Sequence, residues 1–161
     1  MSPETLLLLS SLQACRQRIA KLNFSLAKNQ VLFPMTLDTV TKLTEDQEES
    51  IDALILRYSQ CVTMIQEQLF KGIAFLEQED LSDKSNRDKT LLMEKLGAIQ
   101  SAQEFGTAAM LRNKFAHHYP ELNQARIDRL NLLPEESHFV IDTFKEIETY
   151  LETKKLIDSP T

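Results

Sequence analysis

The residues with the most chemistry per position lie in one run, Arg112-Asn113-Lys114-Phe115-Ala116-His117-His118-Tyr119-Pro120. Two of the chain's three histidines are here, beside a guanidinium, an amide, an ammonium and a phenol. A histidine titrating near neutrality can both take and give a proton. Arg112 keeps its charge and offers a planar fork of donors that matches phosphate oxygens. Residues 105–130 carry Arg112, Lys114, Arg126 and Arg129 against Glu121 and Asp128, so this window is cationic within a chain of net charge −6. A local positive spot on an acidic protein suits one phosphate rather than a long duplex track. The same residues also admit a structural reading, in which they cap helix carbonyls and line an interface.

Geometry sets a condition on the chemical reading. On an unbroken helix Arg112 and His117 point about 140° apart. They can share a face only if the helix ends between them, and Pro120 is the residue expected to end it. Neighbouring His117 and His118 diverge and are too few to hold a metal, so no metal site is expected. The chain has no glycine-rich phosphate loop, and no cofactor is expected. Cys15 falls on an apolar stripe and reads as a buried, inert thiol. With two cysteines and no CxxC pair, a disulfide framework and a zinc ribbon are excluded.

The elements that must position this cluster read as helices. Three glycines and five prolines in 161 residues leave few turns for a many-stranded sandwich. Ser2-Pro3-Glu4 is a helix start. Leu8, Leu12, Cys15, Ile19, Leu22 and Leu26 follow at steps of 4, 3, 4, 3, 4, to an end near Asn29. Thr44 and Gln47 make a capping box, followed by Ile51, Ile55, Tyr58, Val62, Ile65 and Leu69. This second helix extends to Leu76 or Glu77, long enough that it should bend near Gly72 or rest one end on another subunit. A short helix carries Leu91, Leu92, Leu96 and Ile99. Ser101 with Glu104 reads as a further capping box, opening the helix that ends in the cluster. After a segment of partial helical character, Pro134-Glu135-Glu136 reads as the start of a last helix bearing Val140, Phe144, Ile147 and Leu151. The expected fold is all-α, an up-and-down bundle of four or five helices, in one domain over residues 1–157 with a frayed tail at 158–161. No run reaches the roughly 18 apolar residues of a membrane span, and the chain reads as cytoplasmic.

Arg112, four residues, His117, one residue, Tyr119 is similar to the signature of the HEPN superfamily, specifically of HepT-like toxins, and Asn113 completes its stricter Arg-Asn-x-x-x-His form. Asn86-Arg87-Asp88 through Glu94-Lys95-Leu96-Gly97, and the stretch from Leu54 to Phe70, also resemble a HepT-like subfamily. The likeness covers about residues 50–152 and is looser over the first 40. It implies a homodimeric, metal-independent endoribonuclease, the toxin of a toxin–antitoxin module. His117 would act in general acid–base catalysis while the ribose 2′-OH attacks the adjacent phosphate. Arg112 would stabilise charge at phosphorus, and Asn113 would orient the phosphate or Arg112. Tyr119 would be the site at which a partner nucleotidyltransferase antitoxin attaches AMP. The resemblance defines no role for Lys114 or His118. The alternative is a non-catalytic helical module that binds a minimal nucleotidyltransferase, which the net acidity and the long second helix also suit.

Overall fold

Ser2 opens the chain's first helix as expected: its Oγ accepts from the Thr5 N–H at 3.1 Å, and Pro3 takes the first helical position. The structure, a computed structural model, describes residues 1–117 and 123–157. Helix α1 (Pro3–Asn29) buries its whole predicted stripe from Leu8 to Leu26. A 3-10 turn (Gln30–Leu32) follows, then a single-turn helix α2 (Leu37–Thr41) capped by Thr36. The long central helix is α3 (Glu45–Met64), a π segment (Ile65–Leu69) and α4 (Phe70–Leu76) in unbroken succession. Then come α5 (Asn86–Leu96), α6 (Ala102–Phe115) and α7 (Gln124–Thr153). All regular structure among the described residues is helical, so the bundle is all-α.

The capping box at Thr44 forms in both directions: Thr44 Oγ1 accepts from Gln47 N–H, and Gln47 Oε1 accepts from Thr44 N–H. At Ser101 only one half forms, with Ser101 Oγ accepting from Glu104 N–H at 3.1 Å. The Ala102 N–H instead donates to Glu94 Oε2 at 2.7 Å, tying the start of α6 to α5. Between these helices Gly97 sits at φ +90°, which lets the Ala98 N–H reach back to the Met93 carbonyl at 2.9 Å.

One cluster of buried side chains runs through α1, the central helix, α5, α6 and α7. Phe70 and Phe105 meet within it, ring centroids 5.1 Å apart and tilted by 54°. Tyr58, fully buried, donates its hydroxyl to the Ala108 carbonyl at 2.6 Å and so fixes α6 against α3.

Two expectations are revised. The central helix is not broken at Gly72, which lies inside α4, and α1 packs along α3, the π segment and α4 together. Its irregularity lies at Ile65–Leu69, where the wider turn shifts the phase and lets Leu69 and Phe70 both face the core. Pro134 does not start the last helix. It lies inside α7, which begins after Asn123, whose Oδ1 accepts from the Arg126 N–H. The buried stripe Ile127, Leu130, Leu133, Ser137, Val140 passes straight through the proline, and its burial outweighs the one backbone bond that Pro134 cannot donate. Helix α6 ends at Phe115, the last residue expected in it, ahead of Pro120. Helix α2 has no counterpart in the sequence reading, since five residues are too few to show a period. The tail at 158–161 lies outside the described residues.

Gly72 serves a close approach: a Cβ there would stand 2.6 Å from Leu8 Cδ1 and 3.1 Å from its Cβ and Cγ. Leu8 is buried and has nowhere to go. Gly72→Val is expected to destabilise the fold by about 1–3 kcal/mol in a denaturant titration, partly restored by adding Leu8→Ala. An unchanged midpoint would mean that the α1–α4 contact is looser than the structure has it.

Cys15 and Cys61 are both buried free thiols on the α1–α3 contact. Burial pushes each up to about 12, with Cys61 and Glu148 adding to the effect at Cys15 and Arg18 opposing it at Cys61. At pH 8 neither is expected to react with a disulfide reagent until the protein unfolds, when both should titrate. Rapid labelling of the native protein would contradict this.

Candidate functional site

Helix α6 is seated by Phe105, Ala108, Ala109 and Leu111, all buried, and by the Tyr58 hydroxyl on its Ala108 carbonyl. Burial raises the Tyr58 phenol far above its ordinary value, with Glu136 raising it further and Arg112 lowering it, so it stays a neutral donor. Arg112 follows Leu111 and turns toward α3. Its Nη1 donates to Thr63 Oγ1 at 3.2 Å, while Nε and Nη2 both donate to Asn113 Oδ1 at 3.2 Å. The guanidinium is therefore held between a hydroxyl on the neighbouring helix and the amide next in sequence.

The last turn of α6 closes at Ala116, whose N–H is shared between the Arg112 and Asn113 carbonyls at 3.2 Å each. The helix thus ends between Arg112 and His117, as the chemical reading requires. His117, exposed, and the half-buried Arg112 line the same cleft, of about 690 Å³.

Two other helices complete this cleft. From α7 come Arg126, Arg129 and Leu130, at offsets 0, 3 and 4 on one helical face. From α3 come Asp52, Ile55, Leu56 and Ser59, at offsets 0, 3, 4 and 7 on one face. Asn113, Lys114, Phe115 and Ala116 supply the rest of the α6 wall. Among the described lining residues, four permanent cations stand with one carboxylate, Asp52, around an apolar floor.

Of the residues singled out in the sequence, Arg112, Asn113 and His117 are brought together. Tyr119, the expected modification site, lies outside the described residues, as do His118 and Pro120. His138 is exposed on α7 beside a separate groove. Arg126 and Arg129 entered the sequence reading only as charge; their spacing of three, just after a helix cap, was the signal that they share a face. The polar residues of the α3 wall were missed because Asp52 and Ser59 flank the core stripe and look like its solvated edge. Among the described residues no three His, Cys, Asp or Glu side chains gather as a metal site, and no helix is long and apolar enough to cross a membrane.

The arrangement can seat an anion between guanidinium groups and place an imidazole beside it. Comparison of the chain with protein-family models, curated proteins and solved structures finds no match.

Proposed function

We propose that the protein is a metal-independent endoribonuclease that cuts RNA by transesterification, working as the toxin of a cytoplasmic toxin–antitoxin pair. The observation that carries this reading is the cleft itself: Arg112, Asn113 and His117 meet there with Arg126 and Arg129, although α6 alone would point Arg112 and His117 apart. The similarity of the Arg112/Asn113/His117/Tyr119 pattern to HepT-like toxins supports it from the sequence.

The chemistry follows from the side chains. The neutral His117 imidazole takes the proton of a ribose 2′-OH as that oxygen bonds to the adjacent phosphorus. The bond from phosphorus to the 5′-oxygen of the next nucleotide breaks, and that oxygen receives a proton from an imidazolium. A 2′,3′-cyclic phosphate and a 5′-hydroxyl end result. Arg112 neutralises the charge that grows on the phosphoryl oxygens in the transition state. Asn113 Oδ1, accepting from two of the guanidinium nitrogens, holds the fork in one orientation. In a homodimer with the two motifs facing each other, the second copy's imidazole supplies the acid while the first acts as base.

Tyr119, two residues past His117, is the position at which a partner nucleotidyltransferase would attach AMP. If the attached AMP reaches the cleft, its phosphate would compete for the Arg112 guanidinium and silence the cut.

The deciding experiment is cleavage of a single-stranded RNA in EDTA by the purified chain, with analysis of the ends. The reading expects 2′,3′-cyclic phosphate and 5′-hydroxyl ends, and no cut where the attacking ribose is replaced by 2′-deoxyribose. Cleavage of the deoxy-substituted site would exclude 2′-OH attack. No cleavage, together with a stable complex with a nucleotidyltransferase, would favour the binding-module alternative.

A further inference from the structure

We infer that Asp52 makes this cleft select an unpaired guanosine next to the bond it cuts. The inference rests on the ribonuclease reading and extends it to sequence preference. A carboxylate repels phosphate, so its place on the wall of a cationic cleft calls for a different recognition partner. Asp52 lines the cleft with Arg112, Arg126 and Arg129, and it is exposed.

The α3 wall is ordered along its length. Asp52 stands at one end, then the aliphatic pair Ile55 and Leu56, then Ser59; one turn beyond the wall, Thr63 holds Arg112. Asp52 and Thr63 are eleven residues apart within α3, about 16 Å along its axis. That distance leaves room for a base beside the phosphate held by the arginine. Ile55, Leu56, Leu130 and Phe115 give the base an apolar and aromatic surface to lie on.

The carboxylate then reads the edge of that base. An ionised carboxylate only accepts, and its two oxygens can accept two parallel N–H groups. Guanine alone among the RNA bases presents two adjacent donors, N1–H and the N2 amino group, on its Watson–Crick edge. Adenine and cytosine present an amino donor beside a ring acceptor, which the carboxylate repels. Uracil presents one N–H flanked by carbonyls. Because the Watson–Crick edge must be open, the target is single-stranded.

The test is to map cleavage sites on a random-sequence single-stranded RNA pool with wild type and with Asp52→Asn. Wild type is expected to show guanosine enriched at one fixed position within a nucleotide of the cut, and Asp52→Asn to lower that enrichment by about tenfold or more. Absence of a base preference in wild type, or an unchanged guanosine enrichment in the variant, would overturn the inference. So would a loss of cleavage equal at all sequences, which would make Asp52 a proton carrier or an ion-pair partner instead. A second measurement is independent of cleavage: binding of GMP, AMP, CMP and UMP to both proteins. Preference for GMP that Asp52→Asn removes would support the inference even if no RNA were cut, a result that would sink the ribonuclease reading alone. Equal binding of the four nucleotides would overturn it.

Discussion

Arg112→Ala and His117→Ala are each expected to lower the rate of RNA cleavage by about 10²–10⁴-fold while leaving the fold intact. His117 is exposed, and Arg112 is half-buried with its guanidinium bonded, among the described residues, to Thr63 and Asn113. The two losses should not add. When two groups act on one transition state, removing either disables most of what the other does, so the double variant should fall close to the worse single one. Asn113→Ala should show a smaller loss, because it frees the guanidinium from its orientation without removing its charge. Arg112→Lys separates charge from shape: an ammonium cannot keep both contacts to Asn113 Oδ1, so little recovery is expected. Single-turnover cleavage assays, with circular dichroism to confirm the fold, measure all of these. Wild-type rates in both alanine variants would remove the site from the cleft.

The largest effect on stability is expected at Phe105. It is fully buried and meets Phe70 at a tilted angle in the middle of the core. Phe105→Ala removes a whole ring where helix α6 has few other large anchors, Ala108 and Ala109 being small. The cost is expected to be roughly 3–5 kcal/mol. Against a typical total of about 5–15 kcal/mol that is a large share. It should also loosen α6 and with it the seat of Arg112, so activity at 37 °C should fall together with the denaturation midpoint. A midpoint shifted by less than a third of the expected amount would mean that neighbouring side chains collapse into the cavity.

Much of this architecture was legible in the chain. The Ser2 and Thr44 caps and the stripes from Leu8 and from Ile51 are local patterns, and local patterns survive folding when the core agrees with them. The grouping of Arg112, Asn113 and His117 was legible as well, because it depends only on where one helix stops. What escaped was set by distant partners. Pro134 followed by two glutamates has the composition of a helix start, yet a buried stripe spanning it keeps α7 whole. The π segment hides because one extra residue in a turn changes phase without changing composition. Asp52 and Ser59 gain meaning only when α6 and α7 are laid beside α3, and nothing within seven residues of either announces that.

The side chain of Asn131 forms a two-way amide pair with the backbone of Met35, donating to its carbonyl at 2.9 Å and accepting from its N–H at 2.7 Å. This pair pins α7 lengthwise. Grease alone would let a long rod creep along its neighbours, and a slip of one turn would carry Arg126 and Arg129 about 5.4 Å from their places. The backbone of one residue, Met35, lying before α2, thus sets the axial registration of two arginines more than ninety residues away.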